Sequence, residues 1–159
     1  MNKTDAEVIA AIDKARPGIS KYLALMDRLY SVDVSRDEDF QRMYNDFYKM
    51  RQRQADWYSF YYDLLERSKN SRPSFKTILE LFYKRFNRCE TSFSSKFVAT
   101  LDPWKPVWDK YVIENVNPNP DGGPNTRLDI ALAKYARLQK WYSEFHQSGE
   151  RKEMGFSIQ

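Results

Sequence analysis

Apolar residues recur at intervals of three and four along most of this chain, which predicts helices, and no alternating run is long enough for a strand. Residues 32–34, Val-Asp-Val, are too short to count as one. Thr4 followed by Asp5 and Glu7 predicts a helix start, with Val8, Ile9 and Ile12 as its apolar face. Pro17 is expected to open a second helix at its first position, where a missing N–H costs nothing. That helix carries Ile19, Tyr22, Leu23, Met26, Leu29 and Tyr30. Ser35 is the expected cap of a long third helix reaching to about Arg67, with Asp37, Glu38 and Asp39 in the first turn, where the helix dipole favours acids. Its apolar stripe, Phe40, Met43, Tyr44, Phe47, Tyr58, Tyr61 and Leu65, is interrupted by Arg51 and Gln54. Either the helix breaks or is exposed there, or Arg51 sits in a polar notch that holds a ligand group.

After a connector at residues 68–73, Ser74 is expected to cap a helix that buries Ile78, Leu79, Phe82 and Phe86. A short turn at residues 89–92 leads into a helix over 93–101 burying Phe93, Phe97, Val98 and Leu101, which Asp102-Pro103 ends. Residues 106–116 read as another helix, with Trp108, Tyr111, Val112 and Val116 on its apolar face. The run NPNPDGGPN, residues 117–125, is a loop. The last helix is expected from about 126 to 147, with Leu128, Ile130, Leu132, Tyr135, Leu138, Trp141, Tyr142 and Phe145. The expectation is an all-α fold: one orthogonal helical domain of six or seven helices over residues 1–147, then a loosely ordered tail, 148–159.

Composition narrows the chemistry. Apolar residues are 42 % and aromatic residues 16 % of the 159, enough for a real core. Cys89 is the only cysteine and His146 the only histidine, so an intrachain disulfide and a Cys/His zinc site are excluded within one chain. No metal and no cofactor are expected. The N-terminal stretch has acids early and no uninterrupted apolar segment, and no run approaches the roughly 20 apolar residues that span a bilayer, so a cytoplasmic protein with no membrane partner is expected. The net charge of +4 and a pI near 9.1 permit phosphates or acidic partners without requiring them.

The segment SFSSKFVATLDPWKPVWDKYV, residues 92–112, holds the candidate chemistry. Two helices joined by a tight turn point backbone N–H groups outward at a helix start, which suits a phosphate oxygen. Lys96 lies on the second of them, and Asp109 falls in the first turn of the next predicted helix. Each has a plain structural reading too: Lys96 as a solvated lysine, Asp109 as a dipole-stabilising acid.

The order hairpin, lysine-bearing helix, proline-containing loop, then aspartate after Pro106-Val107 resembles the helix-hairpin-helix DNA glycosylase superfamily. It is also similar to a group of uncharacterised bacterial proteins with a Ser-Lys and Pro-x-Trp-Asp pattern. The likeness covers residues 74–116 and, more weakly, the 135–145 helix. It implies a central helix-hairpin-helix, duplex DNA as partner, and catalysis by Lys96 as nucleophile with Asp109 stabilising charge on the sugar. Ser92, Ser94, Ser95, Trp104, Lys105, Trp108 and Lys110 would line the binding surface, with Arg51 added from its polar notch. The turn here departs from the family in having no glycine and in carrying Glu90. The alternative is a non-catalytic helical protein acting as a protein-interaction or structural module, with its oligomeric state open.

Overall fold

A computed structural model describes residues 4–108 and 127–156, with side chains followed to residue 147. Among the described residues there are six helices and no strand: α1 Asp5–Leu29, α2 Glu38–Tyr48, α3 Ala55–Ser68, α4 Phe75–Phe86, α5 Thr91–Leu101 and α6 Arg127–Phe156. The chain divides into two compact units, residues 1–70 and 71–159.

In the first unit, α1 begins as the sequence predicts. Thr4 and Glu7 form a reciprocal capping box. Pro17, however, does not open a second helix; α1 passes through it without a break. A proline inside a helix forfeits one backbone hydrogen bond and crowds the preceding turn, at about 3 kcal/mol. Only a residue able to cap at position 16 would have made a new start, and that residue is Arg16. Every residue of α1 from Asp5 to Lys21 is exposed, so the expected apolar face of Val8, Ile9 and Ile12 meets solvent, and the first buried residues are Leu25 and Leu29.

The long helix expected from Ser35 to Arg67 is two helices. Asp37, not Ser35, caps α2, its Oδ1 accepting from the Phe40 amide at 2.7 Å. The chain then turns through left-handed backbone at Lys49 and Gln52, with φ of 55° and 64°. Of the two readings of the Arg51–Gln54 interruption, the break is the one observed, and Arg51 is exposed on the connection. Tyrosines tie the two helices across it. The Tyr44 and Tyr61 hydroxyls, both fully buried, meet at 2.8 Å, and Tyr58 donates to the Met50 carbonyl at 3.0 Å. The Tyr62 hydroxyl lies against the Asn45 amide oxygen.

Arg28 locks the end of α1 to the start of α2 by a two-pronged bond to Asp37, at 3.0 and 2.9 Å. The Phe40 amide first, then the Arg28 guanidinium, hold the Asp37 carboxyl below its ordinary value near 3.8. A carboxyl depressed in the folded state stabilises above its unfolded value, and that contribution is lost as pH falls through the folded one. Acidifying below about pH 4 should therefore lower the thermal midpoint of wild type more steeply than that of Asp37→Asn, which keeps a capping oxygen but no titrating group. Parallel slopes in the two melting series would contradict this. Asp33, lowered chiefly by its Ser35 hydrogen bond, leaves some acid sensitivity in both.

In the second unit Ser74 caps α4 as expected, accepting from the Thr77 amide at 3.2 Å. Ile78, Leu79 and Phe82 are buried, while Phe86 is half-buried. Asn87 ends α4 in left-handed backbone, residues 87–90 make the turn, and α5 starts at Thr91, two residues before the expected start. α4 packs against both α5 and α6. Residues 106–108 are not helical, and the rest of the helix expected to 116 lies outside the described residues. α6 runs to Phe156, beyond the expected end near 147. Its core face is Ala131, Tyr135 and Leu138; of the other apolar positions named for this helix, Ile130, Trp141 and Phe145 are exposed.

Candidate nucleic-acid interface

α5 is unusually rich in buried hydroxyls. Ser94, Ser95 and Thr100 are all buried, alongside Phe97, Val98 and Leu101. Thr100 satisfies its hydroxyl on the Lys96 carbonyl one turn back, at 2.7 Å. Ser95 does more. Its Oγ donates to the Ser92 carbonyl and accepts the Trp108 amide, each at 2.7 Å, so it pins the proline-containing loop back onto the helix. Among the described residues, the enclosed Ser94 hydroxyl has no hydrogen-bond partner.

Around that pin three rings lie nearly parallel. Phe75 stacks on Tyr135 at 3.8 Å and faces Trp108 at 6.3 Å. The Tyr135 hydroxyl reaches the Pro106 carbonyl at 3.5 Å, and burial pushes that phenol above its ordinary value. Lys105 is half-buried and borders a cavity of about 210 Å³ with Lys76, Tyr135 and Gln139. Trp104 is exposed, with its ring edge-on to His146 at 5.4 Å.

Lys96 is half-buried on α5, its ammonium 5.2 Å above the Phe93 ring. Asp109 and Lys110 lie outside the described residues. Arg51 belongs to the first unit, apart in sequence from the other candidates. The residues brought together are thus Ser92, Ser95 and Trp108, and the bond among them is architectural.

Sequence reading passed over the outer face of α6. Arg127, Ile130, Lys134, Arg137, Trp141 and Phe145 recur at three and four, within about 80° of arc on a helix turning 100° per residue. The stripe is about 27 Å long at 1.5 Å per residue. It carries cations at one end, rings at the other and no acid. At its cationic end Arg127, Ile130 and Lys134 border a cavity of about 240 Å³ with Thr91, the first residue of α5. Cys89 also lines that cavity, but burial raises its thiol's pKa and its Sγ sits 3.9 Å from the Arg127 carbonyl, which disfavours the reactive thiolate.

Charge follows the division into units. Residues 1–70 hold twelve Lys/Arg against twelve Asp/Glu, and residues 71–159 hold fourteen against ten, so the whole excess of +4 belongs to the second unit. Among the described residues no group of His, Cys, Asp and Glu could hold a metal ion, and no helix is long and apolar enough to cross a membrane. Set beside known protein families, curated proteins and solved structures, the chain matches none of them.

Proposed function

We propose that residues 71–159 bind nucleic acid, with duplex DNA the first partner to test, by holding phosphates along the outer face of α6. The observation that carries this is the acid-free stripe bearing Arg127, Lys134 and Arg137, on the unit that owns the chain's excess positive charge. Phosphate contact releases condensed counterions, so binding of this kind weakens steeply with salt. In an anisotropy titration of a labelled duplex, log K should fall linearly with log salt, and Lys134→Ala or Arg137→Ala should each reduce the slope by about one phosphate's worth. No binding at low salt, or binding indifferent to salt, would overturn the reading.

The same proposal carries a catalytic form. It is supported by the order of α4, a four-residue turn and a lysine-bearing α5, the arrangement a helix-hairpin-helix glycosylase would need. In it the free amine of Lys96 attacks the anomeric carbon, and the base leaves with the glycosidic electron pair. The sugar ring then opens, its C1′–O4′ bond breaking as a proton of the attached nitrogen passes through solvent to O4′, and the imine so formed is reducible by borohydride to a stable adduct. Borohydride with lesion-bearing duplexes should trap wild type and not Lys96→Ala. No adduct across a broad lesion panel ends the catalytic form and leaves phosphate binding standing.

A further inference from the structure

We infer that the aromatic end of the α6 stripe, together with Trp104, is a stacking platform for unpaired bases, so that this unit prefers single-stranded to duplex nucleic acid. The inference rests on the phosphate-binding reading above and adds what the second half of the stripe is for.

Three large rings lie open to solvent here: Trp104 is 67 %, Phe145 60 % and Trp141 42 % exposed. They form one patch. Trp141 stacks on Phe145 at 5.6 Å, Phe145 meets His146 at 6.1 Å, and His146 meets Trp104 edge-on at 5.4 Å. Tyr142 braces His146 from the helix side at 4.5 Å. Contiguous exposed apolar surface marks a place where something docks.

The choice of occupant follows from the neighbours. Arg137 lies one helical turn before Trp141 on the same face, Lys140 adjoins it, and Lys105 follows Trp104 in sequence. Glu144 is the only acid between residues 134 and 147. An apolar protein surface has no use for cations set beside rings. A single strand needs both, because its bases stack on aromatic faces while its phosphates follow positive charge. A duplex keeps its bases stacked on each other, so it can use the cations of the stripe but not its rings.

The test compares a labelled oligothymidylate with a labelled duplex of the same length on the full chain. Wild type should bind the single strand more tightly. Trp141→Ala, Phe145→Ala and Trp104→Ala, all at exposed positions, should each weaken single-strand binding by roughly 5- to 150-fold, the range of one lost base stack. Duplex affinity should hold. Lys134→Ala should weaken both. Adding oligothymidylate should also quench tryptophan emission in wild type, and less in the Trp141 variant. Single-strand affinity unchanged in all three ring variants, or a wild type that favours the duplex, overturns the platform while leaving phosphate binding intact. Absence of binding to either strand form overturns both, and protein capture through the same rings would then show as loss of that contact in the ring variants alone.

Discussion

Phe75→Ala should destabilise the second unit by about 3–5 kcal/mol, the usual cost of deleting a buried phenylalanine and leaving a cavity. Phe75 is 4 % exposed and is the first residue of α4, directly after the cap. Its ring lies parallel to Tyr135 of α6 and to Trp108 of the loop, so one side chain joins three segments far apart in sequence. Aromatic contact adds about 0.5–1.5 kcal/mol beyond burial. Urea unfolding followed by tryptophan emission should show the loss in the unfolding midpoint of the second unit. A shift worth less than about 1 kcal/mol would mean that the α4–α6 junction does not depend on this ring.

Ser95→Ala should cost about 1–3 kcal/mol, which is large for the removal of one oxygen. The hydroxyl is fully buried and serves two partners, and its loss strands the Trp108 amide and opens the Ser92 turn. Ser95→Thr keeps the oxygen but adds a methyl group to a packed site, so it tests overpacking separately. The specific signature is at Trp108: its amide should exchange with deuterium much faster in Ser95→Ala, and its emission should move toward that of a solvated indole. Stability lost with no change at Trp108 would assign Ser95 to packing alone.

The helices with local start signals were legible. Thr4 with Glu7 and Ser74 with Thr77 each lie within three residues of the amide they serve, and the sequence shows both partners at once. Arg51 and Gln54 offer the break between α2 and α3 as only one of two readings, because the apolar stripe resumes in step beyond them, at Tyr58, Tyr61 and Leu65. The left-handed turn itself rests on Lys49 and Gln52, where no glycine or asparagine announces it. On α6 the period of three and four fits two faces equally well. Tyr135 and Leu138 face the core, while Ile130, Trp141 and Phe145 face solvent, and only packing against α4 decides between them. Ser95 shows the same limit for a single side chain. A run of serines suggests a polar surface, but the amide that claims its oxygen arrives thirteen residues later.

The outward-standing part of α1 has a consequence for motion. Seventeen residues, from Asp5 to Lys21, lie in the light of the solvent on every side, so their helical state rests on backbone bonding, on the Thr4 box and on two exposed ion pairs, Arg16 with Asp13 and Lys21 with Asp46. A helix packed only near its C-terminal end opens from its N-terminal turn inward, because each turn lost leaves the next one terminal. Amide protection should therefore climb as a staircase from Asp5 to Leu29, with Pro17, which brings no amide of its own, marking the landing between its fast and slow flights.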